Sequence, residues 1–233
     1  MGEHIVRAFD EDLMEVRAKI SEMGGLAEEL LSGALRSVQE RNTELAGQVI
    51  KGDKRLDALE IEVEEMATRV IALRQPMAQD LRLLIACLKL SSTIERIGDL
   101  AKNIARRSLH LAKTPPTSVA GSMVRMGRQA LGQLTEVLDA WARRDVEAAV
   151  GVWRRDAEID EAYNSLFREV ITYMMEDART ISIGSQLLFI AKNLERIGDH
   201  TTHVAEMVYY VEKGRPLGDD RPKGEPSGFE VEG

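Results

Sequence analysis

Cysteine is almost missing from this chain. Cys87 is the only one among 233 residues, so no disulfide can form within the chain, which suits a reducing compartment. Aromatic residues make up only 4%, and the apolar positions are filled chiefly by Leu, Ala, Val, Ile and Met, a composition that favours helices over strands. No stretch reaches the roughly 18 consecutive apolar residues of a membrane span. Basic residues are outnumbered, with a formal charge of -8 and a pI near 5.2, so a general nucleic-acid binder is excluded for want of a basic face. The small clusters Arg106-Arg107, Arg143-Arg144 and Arg154-Arg155 are diluted by acidic neighbours and read as solvated helix faces. The opening MGEHIVRAFDEDL carries acids where a signal peptide needs a basic start and an apolar stretch, so a cytoplasmic location is expected.

What the chain does have is helical periodicity. Val49, Leu56, Leu59, Val63, Met66, Val70 and Leu73 fall on one stripe at steps of three, four and seven, the mark of a long amphipathic helix. Asn42-Thr43 reads as a cap, Pro76 as a helix start, and Thr114-Pro115-Pro116-Thr117 as an interruption. With further breaks near Arg144-Asp145 and Arg179-Thr180, six helices are predicted, at about 4–41, 44–74, 77–112, 117–143, 145–178 and 181–213. Residues 214–233, rich in Gly, Pro and charge, read as a disordered tail.

The pentapeptide ERIGD stands at Glu95 to Asp99 and again at Glu195 to Asp199. It belongs to a longer internal repeat in which Met23-Gly24 matches Met126-Gly127 and Asp53-x-x-x-Asp57 matches Asp156-x-x-x-Asp160. The earlier pairs are offset by 103 positions and the later one by 100, so the second copy has lost three residues between its second and third helices. The unit is three long helices joined by short connections, which forces antiparallel neighbours. The expected fold is therefore all-α: two pseudo-symmetric three-helix bundles, 1–113 and 117–213.

Residues four apart share a helix face, so Glu95, Asp99 and Asn103 form one polar line, and Glu195, Asp199 and His203 another. Asp53 and Asp57, and in the second half Asp156 and Asp160, lie beside them if the second and third helices of each unit are neighbours. Four carboxylates would then gather in each half. At roughly 5 Å and an effective dielectric of about 20, each like-charge pair costs on the order of 3 kcal/mol. Protonation, pairing with a basic residue such as Arg96, Arg196, Lys54 or Arg55, or a bound cation would each relieve this. Oxygen-rich sites with a nearby Asn or His suit Mg, Mn, Fe or Zn. Gly98 and Gly198, in mid-helix, call for a packing or site-related reason.

Two chemistries are disfavoured. A ferritin-type di-iron site would place Glu-x-x-His motifs on its helices, and the chain has none. Nucleophilic catalysis is equally unsupported, since Cys87 lies in an apolar segment without a histidine nearby.

The motifs MGG (Met23 to Gly25), VIKGDKRLDALE (Val49 to Glu60), RQPMAQDLRLL and IERIGDLAKNIAR (within Arg74 to Arg106), YMMEDARTI (Tyr173 to Ile181) and LERIGDHTTHVAE (Leu194 to Glu206) resemble the PhoU family of bacterial phosphate-transport regulators. The resemblance covers roughly residues 4–214. It implies a twofold three-helix bundle that often forms a homodimer, with no catalysis, acting with the Pst phosphate transporter, its ATPase PstB and the sensor kinase PhoR. Such a protein meets membrane complexes only through partners, holds the phosphate-starvation response off and restrains uptake. It also implies metal ligands at Asp53, Asp57, Glu95 and Asp99, with Asn103 alongside, and at Asp156, Asp160, Glu195 and Asp199, with His203 alongside. The family usually has Asn where this chain has His203, which turns the second set toward Zn or Fe, with Mn or Mg as further candidates. Two other readings remain at this point: a metal-dependent enzyme or metal store built on the same carboxylates, and a purely structural helical partner module.

Overall fold

Apolar side chains repeat at helical spacing almost from end to end, and the computed structural model of the chain is accordingly a set of long rods. It describes the backbone of residues 2–218 and the side chains of residues 9–218, with no strand among them. The elements are α1 (Gly2–Gln39), α2 (Thr43–Arg74), α3 (Ala78–Leu111), α4 (Ala120–Arg143), α5 (Val146–Arg154), α6 (Asp156–Glu176) and α7 (Ile181–Lys213), with one 3-10 turn at Ala178–Thr180. The disordered tail expected at 214–233 falls, from residue 219 onward, outside the described residues.

Local chemistry sets the ends of the rods. Asn42 caps α2, its Oδ1 accepting the Leu45 N–H at 3.0 Å, and Asp145 caps α5 by accepting from Ala148 N–H at 3.0 Å. Gln75 and Arg144 close α2 and α4 in the left-handed region, at φ 51° and 57°.

The helix expected at 145–178 is in fact two. The break falls at Arg155, whose backbone N–H bonds back to Val152 C=O at 3.0 Å, a three-residue step, while the Gln133 side chain of α4 donates to the Arg155 carbonyl at 3.2 Å. The Arg155 guanidinium pairs with Glu136, also on α4. Tertiary hydrogen bonds thus replace one turn of intrahelical ones, at a place with neither Pro nor Gly to mark it.

In the first half α3 packs on α1 and α2, and in the second α7 packs on α4, α5 and α6. The halves are then joined by α1 against α4 and α3 against α7. A single apolar core runs through both, from Leu13 to Val211. The stripe Leu90, Ile94, Ile97, Ala101 and Ile104 of α3 lies fully inside it. Gly98 and Gly198 have a packing reason. A β-carbon at Gly98 would stand 2.3 Å from Leu56 Cδ2, and one at Gly198 would stand 3.1 Å from Ile159 Cγ2, so each glycine lets its helix approach the preceding one closely. That close approach is what brings the acids of α2 to those of α3, and the acids of α6 to those of α7.

Candidate metal centre

Asp53 and Asp57 stand on α2, and Glu95, Asp99 and Asn103 on α3. Asp53 is 2% exposed, Asp57 lies in solvent, and Glu95 and Asp99 are half-buried between them. The neighbourhood holds a fifth acid, Glu60 of α2, one turn beyond Asp57 on the same face and outside the Asp-x-x-x-Asp spacing. Its effect is seen on Glu95. Burial, then the negative charges of Asp99, Glu60, Asp57 and Asp53, push the Glu95 carboxyl up to about 7. Burial and the charge of Glu64 raise Glu60 as well.

The first half meets this crowding with a residue of its own. The Lys102 ammonium pairs with both Asp53 and Asp99, tying α2 to α3. Asp53 is nevertheless held above the usual carboxylate range by burial, which outweighs the lysine. Its Oδ1 is buried without a hydrogen-bond partner. Lys102 stands three residues after Asp99, a spacing legible in the sequence. None of Arg96, Arg196, Lys54 or Arg55 takes this place, and Arg55 pairs instead with Glu22 of α1 at 3.0 Å.

The second half is built on the same positions with different side chains. Asp156 is 3% exposed and its Oδ1 accepts the Thr202 hydroxyl at 2.7 Å; Thr202 stands at the repeat position of Lys102. The break at Arg155 places Asp156 at the start of α6. Glu195 accepts from Lys192 Nζ at 2.9 Å through Oε1, while its Oε2 is buried and unpartnered. Burial raises the Glu195 carboxyl, with Asp199 and Asp160 adding to the effect and Lys192 opposing it. Lys192 also lies 5.3 Å from the ring centre of Tyr163, the residue standing where the first half has Glu60. Between the halves, His200 is held below its ordinary range by burial and by Arg96 and Arg196.

Asn103 and His203 turn along their own helices. Asn103 Oδ1 accepts from Arg106 at 3.4 Å, and His203 Nδ1 is 3.2 Å from Glu206 Oε2. The four first-half carboxylates thus share one electrostatic neighbourhood, and in the second half Glu195 shares one with Asp199 and Asp160, while Asp156 is held by Thr202 and the Asn and His turn along their own helices. Among the described residues, no three His, Cys, Asp or Glu side chains stand as a group able to hold a metal ion. The donors nonetheless suit a hard cation in kind: carboxylate oxygens in excess, two of them buried without a partner. In the first half the oxygens of Asp53 and Asp99 already hold a cation, the lysine ammonium.

Nucleophilic chemistry finds no support at Cys87, which is fully buried, with its thiol pushed up to about 12 by that burial. Among the described residues no helix is long and apolar enough to cross a membrane.

These features define a class: a helical protein of two fused three-rod repeats, each with an acid-bearing face between its second and third rods. Comparison with known proteins makes the class specific. The family model described as PhoU domain matches twice, at residues 20–108 and 123–208, with starts offset by 103 and ends by 100, as in the internal repeat. The chain belongs to the PhoU family. It is 48% identical over 224 residues to the phosphate-specific transport system accessory protein PhoU homolog of Caulobacter vibrioides (strain NA1000 / CB15N), covering 96% of this chain and 97% of that one. With the phosphate-specific transport system accessory protein PhoU of Escherichia coli (strain K12) it shares 38% over 215 residues, 92% of this chain and 89% of that one. The crystal structure of PhoU from Pseudomonas aeruginosa superposes with a TM-score of 0.86 at 36% identity, covering 89% of this chain and all of that chain. The phosphate transport system regulatory protein PhoU from Streptococcus pneumoniae gives 0.83 at 29%, covering 90% and 99%.

Proposed function

We propose that this chain is the accessory and regulatory protein of a phosphate-specific transport system in its own host, and that it acts without catalysis. It restrains phosphate uptake and keeps the phosphate-starvation response off when phosphate is plentiful, by contacting the PstB ATPase of the transporter and the sensor kinase PhoR from the cytoplasmic side, as a homodimer. The observation that carries this reading is the doubled PhoU domain match together with near full-length identity to accessory proteins of that system. Large apolar side chains exposed at the turns between rods, Leu73 and Met77 on one and Met175 and Ile181 on the other, give partner proteins something to cover.

Within this reading the carboxylate faces bind divalent or trivalent ions, Fe or Zn first and Mn or Mg next. The residues that would hold them are Asp53, Asp57, Glu95 and Asp99, and Asp156, Asp160, Glu195 and Asp199. Asn103 and His203 join by rotating inward from Arg106 and Glu206. A bound ion would supply positive charge to faces whose acids are otherwise crowded.

Deletion of the gene, followed by measurement of a starvation-induced phosphatase in phosphate-rich medium, tests the regulatory role. Derepressed phosphatase is expected, and unchanged basal expression would sink it. Elemental analysis of the purified protein beside an Asp99→Ala, Asp199→Ala double variant tests the metal role separately, with a loss of bound metal expected.

A further inference from the structure

The Lys102 ammonium sits between Asp53 of α2 and Asp99 of α3. Both carboxylates approach a positive charge supplied by the chain itself, enclosed on the α2 side, where the Asp53 side chain is 3% exposed, and open on the α3 side, where that of Asp99 is 46% exposed. We propose that Lys102 is a tethered counter-ion that occupies the cation position of the first carboxylate face, so that an external metal ion enters this face only by displacing the lysine. The inference rests on the metal-binding reading above and narrows it.

Three observations carry it. First, the ammonium engages one carboxylate from each helix, and Asp53 and Asp99 are among the residues that would hold a cation on this face. Second, Asp53 Oδ1 is buried with no hydrogen-bond partner. That oxygen faces the backbone side of α3, 3.6 Å from where a β-carbon of Gly98 would be, so it is an acceptor inside the face that one lysine does not exhaust. Third, the second half does not repeat a lysine at this position. The equivalent place in the second half is taken by Thr202, an uncharged donor to Asp156, and the lysine there, Lys192, comes from the opposite end of its acid line. A lysine at this position is therefore particular to the first half of the repeat.

Displacement has a physical cost. Metal and ammonium repel one another, and the lysine head must move from a partly enclosed place into water while the ion sheds its own hydration. The tether also keeps the ammonium at high effective concentration beside Asp53 and Asp99, so that a free ion competes against an intramolecular partner.

The test isolates the first face by working in an Asp199→Ala background, with manganese(II) and zinc(II) as probes, isothermal titration for affinity, elemental analysis for stoichiometry and circular dichroism for folding. Adding Lys102→Met is expected to tighten binding tenfold or more, whereas Lys102→Arg, which keeps the positive charge, leaves it weak. Lys102→Gln, whose amide still donates to the buried Asp53, serves should the methionine variant fail to fold, and is expected to behave in the same way. Equal affinity in the parent and in the Met and Gln variants would overturn the inference while leaving metal binding intact. Absence of binding in every Asp199→Ala protein, with binding by the wild-type chain, would also overturn it by removing the first face from the metal sites. Absence of binding by the wild-type chain and by all variants would remove the metal reading itself.

Discussion

Leu35 of α1 presses on Gly127 of α4 so closely that a β-carbon on the glycine would lie 2.3 Å from Leu35 Cδ2, and Leu138 of α4 makes the reciprocal contact on Gly24 of α1, at 2.6 Å. Both glycines and both leucines are 103 positions apart, the offset of the repeat. The halves therefore meet about a pseudo-twofold axis on which the same knob and hole are used twice, with α1 and α4 antiparallel. Arg17 stacked 4.6 Å over the Trp141 ring and Thr135 bonded to Glu28 at 2.7 Å complete this contact.

Filling one hole should be felt by the whole molecule, because the α1 and α4 contact joins its halves. Gly127→Val would meet Leu35 Cγ and both its methyl groups, so relief by rotation of the methyl ends alone is not available. The expected loss is about 2 kcal/mol, the usual scale of overpacking, partly masked by the better helix propensity of the new residue. A double-mutant cycle with Leu35→Ala, read by urea denaturation, should show the two changes to be less than additive. Strict additivity would mean the contact is not made in solution.

Much of this was legible in the sequence because it depends on short-range regularities. The spacing of Leu90, Ile94, Ile97, Ala101 and Ile104 marks a buried face of α3 in the sequence itself, since such a face must repeat at about 3.6 residues, and the offset of ERIGD marks the repeat. The break at Arg155 was not legible, because it is imposed by Gln133 and Glu136 from another helix and carries no Pro or Gly. Lys102 was within reach, three residues from Asp99, but its bond to Asp53 requires knowing that α2 and α3 lie at glycine-permitted distance. Leu73, placed on the buried stripe of α2 by its spacing, is 69% exposed, although the next residue, Arg74, still reaches Asp12 of α1 at 2.9 Å; periodicity marks the face of the helix but not how much of it is covered at the end.

The start of α2 should depend measurably on one side chain. Asn42 Oδ1 satisfies the Leu45 N–H, a donor with no partner inside the helix. Asn42→Ala is expected to cost about 1 kcal/mol, and Asn42→Asp far less because it can cap in the same way. For a chain of this length that loss corresponds to about 2–4 °C in the thermal midpoint, which differential scanning calorimetry would resolve. Equal midpoints for the alanine and aspartate variants would contradict the cap.

Removing Lys102 alone should be worse than removing its whole interaction. Lys102→Met leaves the buried Asp53 without its counter-ion, at an expected cost of about 3 kcal/mol. In Asp53→Asn, Lys102→Met, the uncompensated charge is gone, so the double variant should recover much of that loss. Chemical denaturation of the four proteins in the cycle, in the presence of a chelator, checks this. A double variant less stable than Lys102→Met would refute the pairing.

Glu95 should make the metal-free protein less stable as pH rises. Its folded-state carboxyl titrates near 7, against an ordinary value of 4.5, because of burial and the acids around it. Between those values the folded chain holds a proton that the unfolded chain has released, so the slope of unfolding free energy against pH is negative there. The stabilising protonated form is fully present below 4.5, its advantage declines through the window, and above about 7 the penalty of an ionised Glu95 is complete. Glu95→Gln cannot ionise and should flatten this part of the profile, making the variant more stable than the wild type at pH 8 and close to it at pH 5. Urea denaturation at pH 5, 6, 7 and 8 with chelator present measures the difference, and an unchanged slope in the variant would show that Glu95 is not the residue responsible.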